Sequence, residues 1–170
     1  MGRDVQEAYK NLLEKAKEAI ENRTTQNNNG DQYNFFDVLG IQNREIYHSR
    51  FLKDLLCPKG LHGQGDLFLG LFFEKFSICG SSNLKNAVVT AEEVTKHGNL
   101  DISIKCDGCY IVIENKIWAW DQDRQLCRYS KTSHNGSKPI LIYLTPNGSK
   151  PSDYSTGDME PRDKSKIKCA

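Results

Sequence analysis

The chain has 170 residues, of which 38% are hydrophobic and 26% charged, with a formal net charge of +1. That length accommodates one well-buried domain and is too short for two ordinary ones. No apolar run approaches the roughly 20 residues of a membrane span, and the near-neutral balance argues against a protein that coats nucleic acid by bulk charge, while leaving room for a local basic groove.

The polar opening segment lacks the basic-then-apolar order of a secretory signal, so a cytoplasmic location is expected. On that basis Cys57, Cys79, Cys106, Cys109, Cys127 and Cys169 are read as reduced thiols, mostly core filler. Over residues 4–22 the apolar positions Val5, Ala8, Leu12, Leu13, Ala16, Ala19 and Ile20 follow the three-and-four spacing of an amphipathic helix. Residues 24–31, with three consecutive asparagines, read as an exposed loop. A short apolar stretch at 35–39 stops at Gly40, a second helix runs over 45–56 ahead of Pro58, and a third covers about 66–76.

After a turn at 80–83 the period becomes strand-like, over 87–94, 100–106, 109–115 and later 139–145. Between the last two, residues 121–134 read as a helix, with Asp121 and Asp123 near its start and Gly136 beyond its end. Past Pro146 the chain is rich in Ser, Gly, Pro, Asp and Lys and is expected to be a loose polar tail or part of a truncated C-terminal region. The domain division is therefore an N-terminal helix and loop over 1–34, a core over 35–146 and a tail over 147–170.

Asp107-Gly108 between two alternating segments is a two-residue hairpin signal, because both positions tolerate positive φ. If Cys106 faces Cys109, then Ser103 faces Val112, Ile102 faces Ile113, and Asp101 faces Glu114. Alternation then puts Leu100, Ile102, Ile104, Cys106, Cys109, Ile111 and Ile113 on a core face, and Asp101, Ser103, Lys105, Tyr110, Val112, Glu114 and Lys116 on the face that carries the chemistry. Two carboxylates about 5 Å apart across a sheet repel, and a bound cation reverses that penalty. Mg²⁺ or Mn²⁺ commonly takes one or two carboxylates with water and substrate phosphate. A lysine on the same face can neutralise charge on a scissile phosphate and orient or help deprotonate the attacking water. A solvated sheet surface displaying Asp, Glu and Lys is the competing account of the same three residues.

Asp101 after Gly98-Asn99-Leu100, followed by Glu114-Asn115-Lys116, resembles the active-site hairpin of the PD-(D/E)xK nuclease superfamily. Gln125 and Tyr129 form a QxxxY pattern similar to the motif of RecB-like nuclease domains, its i, i+4 spacing placing both on one helix face. The segment 47–76, with its HSRFLKDLL and LHGQG stretches, resembles a bacterial branch of the superfamily, so the likeness covers about 35–145.

The resemblance implies an α/β (α+β) fold of restriction-endonuclease type, an αβββαβ core whose mixed central sheet is flanked by helices, with an extra N-terminal helix. It also implies a metal-dependent phosphodiester hydrolase acting on DNA, with RNA as the less favoured substrate, in host defence or DNA processing, with a homodimer as one assembly. Asp101, Glu114, Lys116, Gln125 and Tyr129 are then catalytic, and Asp101, Glu114 and the Asn115 backbone carbonyl hold Mg²⁺ or Mn²⁺. Two features depart from the pattern: no proline precedes Asp101, and the upstream ligand is not uniquely placed, since Glu45 and His48 both qualify. The alternative function is an inactive module of the same fold that binds nucleic acid or a protein.

Lys105, Arg124, Arg128 and Lys131 are read as phosphate contacts or ordinary surface charge. Trp118 and Trp120 either stack on bases or, as the favoured expectation, fill the core. Cys106 and Cys109 lack the second pair a zinc site needs, while Glu92 and Glu93 are expected as solvated charges, one of them turned toward the metal face.

Overall fold

A computed structural model describes residues 34–78 and 83–170. The predicted helix over 4–22, the loop after it and Cys79 lie outside the described residues. The chain divides into two compact units between Leu39 and Gly40. The described part of the first is a single short helix, α1 (Phe35–Val38), capped by Asn34, whose Oδ1 accepts the Phe36 amide at 3.0 Å.

The second unit begins with α2 (Glu45–Leu56) and α3 (Leu67–Lys75) and a 3₁₀ turn at Leu84–Asn86. Strands β1 (Val88–Thr95), β2 (Gly98–Cys106) and β3 (Cys109–Asn115) follow, then α4 (Gln125–Tyr129) and β4 (Ile140–Leu144). Two short helices, α5 (Asp153–Thr156) and α6 (Pro161–Lys164), lead to β5 (Lys168–Cys169). α2 ends where Cys57 turns extended, as a residue before proline must.

The strands lie in the order β1-β2-β3-β4-β5. β1, β2 and β3 are antiparallel neighbours, whereas β4 joins β3, and β5 joins β4, in parallel. The mixed sheet flanked by helices is the αβββαβ order expected, extended by α5, α6 and β5. Among the described residues no helix is long and apolar enough to cross a membrane.

The sheet is packed on both sides. One face carries Val89, Ile102, Ile104, Ile111, Ile113 and Ile142 against Leu56, Leu69 and Phe73 of α2 and α3. The other carries Leu100, Tyr110, Val112, Leu141 and Tyr143 against Leu126 and Tyr129 of α4. The face expected to carry the chemistry is thus a second core over most of its area, which disfavours the competing account of a solvated sheet surface. β3 is buried along its whole length, in keeping with the unbroken apolar run Tyr110-Ile111-Val112-Ile113, which marks a doubly covered strand better than an alternating one.

Leu100 also departs from expectation, lying in the α4 cluster and not beside Ile102. The β1–β2 ladder explains it. Pairing is continuous from Val88↔Lys105 to Ala91↔Ile102 and resumes at Glu93↔Leu100, skipping the rung of Glu92 and Asp101. Glu92 has φ +55, in the left-handed region. Beyond this rung both strands present the opposite face, so Leu100 joins the α4 side and Glu93 reaches Ser103 and Lys105.

Two further segments correct their sequence reading. The helix expected over 121–134 is confined to Gln125–Tyr129, because Arg124 is left-handed at φ +50 and ends any regular helix before it. The chain past Pro146 is ordered: Met159, Ile167 and Cys169 pack on the α4-side core, and β5 pairs with β4. Composition hides this, since the segment contributes only a few apolar side chains to a surface built by others. Cys57, Cys109, Cys127 and Cys169 are free thiols.

Candidate active site

The hairpin forms in the expected register, with Cys106↔Cys109, Ser103↔Val112 and Ile102↔Ile113 paired. One step further, where regular pairing stops, Asp101 Oδ2 accepts the Asn115 amide at 2.7 Å. The face switch at Asp101 frees its carboxylate from the ladder and turns it across the end of β3, beside Glu114.

Glu114 is 1% exposed and Lys116 6%. Glu114 Oε1 meets Lys116 Nζ at 2.8 Å, whereas Oε2, also buried, has no hydrogen-bond donor among the described residues. Burial raises the Glu114 carboxyl, and the charge of Asp101 raises it further, to about 8 despite the lysine. Burial likewise raises Asp101 to about 6, only partly offset by the Asn115 amide and Lys116. For Lys116 burial acts downward, but Glu114, Glu45 and Asp101 together outweigh it, leaving its pKa above the ordinary lysine value. The cluster has more negative charge than one lysine balances.

Glu45, at the start of α2, reaches this cluster. Its Oε1 accepts three successive backbone amides, from Ile117 at 2.9 Å, Trp118 at 3.4 Å and Ala119 at 3.1 Å. His48, the other upstream candidate, has its ring Nε2 at 2.9 Å from the Gln42 carbonyl. The Asn115 side chain turns to the α2 side, where Nδ2 donates to buried Ser49 at 3.2 Å. Its Oδ1 is buried without a partner.

From α4, Gln125 Nε2 donates to Tyr129 Oη at 3.1 Å, and the Tyr129 hydroxyl donates to the Asn99 carbonyl, two residues before Asp101. Burial and then the charge of Glu114 raise the Tyr129 phenol, which stays neutral. The tyrosine ring packs closely on Gly98: a Cβ there would lie 3.3 Å from Tyr129 Cε1, and Gly98 has φ +125. Gly98→Ala is therefore expected to destabilise the fold by about 1–3 kcal/mol through backbone strain alone, read as a lower urea midpoint with unchanged slope.

Three of the four candidate phosphate contacts are engaged within the chain. Lys105 pairs with Glu93, Arg124 Nη2 lies 2.5 Å from Asp158 Oδ2, and Arg128 donates from Nε to the His97 carbonyl at 3.3 Å. Trp118 and Trp120, expected mainly as core residues, are 72% and 93% exposed. Sequence reasoning missed Asp121, which accepts the Tyr143 hydroxyl at 2.9 Å, the Ser152 amide at 2.9 Å and the Ser152 hydroxyl at 2.6 Å. Reading it as a helix-start charge concealed this role, and its partners lie more than twenty residues away.

Among the described residues no three His, Cys, Asp or Glu side chains form a ready metal cluster. The donor set is instead two carboxylates, Glu114 buried and Asp101 half-buried, which suits a hard cation that keeps several waters. A family model described as the PD-(D/E)XK nuclease superfamily matches residues 33–169. No curated protein and no solved structure matches the chain.

Proposed function

Because the chain belongs to the PD-(D/E)XK nuclease superfamily, we propose that it is a metal-dependent nuclease hydrolysing phosphodiester bonds of DNA, with RNA the less favoured substrate. The observation that carries this reading is the donorless Oε2 of Glu114, buried beside the raised carboxyl of Asp101. A buried carboxylate oxygen without a donor costs folding energy unless a cation meets it.

Asp101, Glu114 and the Asn115 backbone carbonyl are the residues that would hold Mg²⁺ or Mn²⁺. When bound, such an ion polarises a phosphoryl oxygen and acidifies water. Lys116 stays charged, since its pKa lies above the ordinary value. It therefore acts as a donor, orienting the attacking water and neutralising charge that develops on the phosphate.

Gln125 and Tyr129 are positioning residues in this scheme. Their hydrogen bonds run to the Asn99 carbonyl and so steady the turn of chain that presents Asp101. Glu45 does the same for the segment after Lys116, and its negative charge adds to the attraction for a cation.

The test is incubation of circular and linear DNA, and of RNA, with the protein in Mn²⁺, Mg²⁺ or EDTA. Cleavage is expected with metal only and is lost in Asp101→Asn. Full activity in EDTA, or in Asp101→Asn, would overturn the assignment.

A further inference from the structure

The two tryptophans of the chain sit together, at positions 118 and 120, two and four residues after Lys116. Both indoles are exposed, at 72% and 93%. A tryptophan brings more apolar area than any other side chain, and leaving two of them in water within three residues forfeits several kcal/mol of burial, on the order of 2 each. The sheet has two packed faces that could have received them, yet both rings are turned outward.

The loop that carries them is nevertheless fixed. At its start the Lys116 amide donates to the Leu144 carbonyl at 2.8 Å, and Glu45 Oε1 gathers the amides of Ile117, Trp118 and Ala119. At its end Asp121 is bound by Tyr143 and Ser152. A carboxylate thus clamps each side of the segment with two exposed aromatic rings, and the rings follow the lysine of the proposed site by two and four residues. A held aromatic platform beside a phosphodiester-cleaving centre has an evident chemical complement, the face of an unstacked base.

We propose that Trp118 and Trp120 form a stacking platform for unpaired bases of the substrate strand, so that the enzyme takes single-stranded or frayed nucleic acid in preference to intact duplex. Every base offers a π-face, so such a platform gives strand-state selectivity with little sequence preference. Paired bases within a duplex are already stacked on their neighbours and would have to be extruded first. Glu45 is a positioning residue for the platform, acting through the three amides it holds. The proposal rests on the nuclease reading for its setting but not for its first measurement.

Because both tryptophans lie on this loop, intrinsic indole emission reports it directly. Titration of the intact protein in EDTA with a short oligothymidylate is expected to quench that emission, and a blunt duplex of equal length to leave it nearly unchanged. With Mn²⁺, the Trp118→Ala/Trp120→Ala variant should show KM for a single-stranded substrate raised about 5- to 100-fold, the range for losing one stacked base, with kcat much less affected. Trp118→Phe, keeping a ring, should recover part of that loss.

Absence of quenching by the oligothymidylate, or an unaltered KM in the double alanine variant, overturns the platform while leaving the nuclease reading in place. Quenching by the oligonucleotide with no cleavage under any metal condition does the reverse: it supports the platform and sinks catalysis.

Discussion

Replacing Lys116 by methionine is expected to lower DNA cleavage by about 10²–10³-fold, the usual consequence of deleting one group that stabilises charge in a transition state. The physical reason is its placement. Nζ lies 2.8 Å from Glu114 Oε1, nearly out of solvent, and its charged form is favoured by three surrounding carboxylates. A cation held this way stabilises developing phosphate charge without reorganising.

The same substitution strips a buried carboxylate of the cation paired with it, which typically costs about 3–5 kcal/mol. That loss should be greatest near pH 8 and above, and smaller at pH 6, where Glu114 can keep a proton because its pKa is already raised to about 8. Urea unfolding at both pH values separates lost stability from lost chemistry. The Glu114→Gln/Lys116→Met double variant should recover stability without activity. Cleavage by Lys116→Met within a few-fold of wild type would remove Lys116 from the mechanism.

Glu114→Gln alone is expected to do two opposite things. It should abolish cleavage, and in EDTA at pH 8 it should stabilise the protein by about 1–3 kcal/mol, because a carboxyl whose folded pKa is raised to about 8 costs stability once ionised and the amide does not ionise. Asp101 and Glu114 both have folded pKa values above their unfolded ones. Between the two values the native state binds more protons than the unfolded chain, so stability falls as pH rises. For these groups the fall begins near the unfolded carboxylate range and is complete above about 8.

The metal-free wild type should therefore lose melting temperature between about pH 4.5 and pH 8, and Glu114→Gln should lose much less. Mn²⁺ at pH 8 should raise the melting temperature of the wild type but hardly that of the variant. A Glu114→Gln protein less stable than wild type in EDTA at pH 8 would show that the cluster is already compensated.

The hairpin was readable because Asp107-Gly108 specifies its own turn, and a turn fixes every pair that follows from it. Helices 45–56 and 66–76 were readable from periodicity, and the family from the order of Asp101, Glu114, Lys116, Gln125 and Tyr129. What stayed hidden depends on partners distant in sequence. Leu100 reads as a core residue in either layer, and only the Glu92 backbone decides which. Trp118 reads as core by composition, whereas the distant Glu45 and Asp121 contacts help hold its loop at the surface. Lys105 reads as a phosphate contact, and Glu93 claims it only because β1 changes face. Under the proposed function, a preference for one nucleic acid over another depends on surfaces of this kind and not on the triplet Asp101, Glu114 and Lys116.

The change of face at Glu92 and Asp101 also bears on how the chain finds its register. A uniformly alternating strand that slides by two residues keeps each side chain on its own side, so such slips are poorly penalised. Here β1 and β2 each carry one inversion, and the two must fall on the same rung. A two-residue slide would separate them, sending Glu93 toward the aliphatic layer or Leu100 out of the aromatic one. The kink that frees the Asp101 carboxylate thus doubles as a proofreading mark in strand pairing, rejecting misalignments that hydrophobic alternation alone would let through.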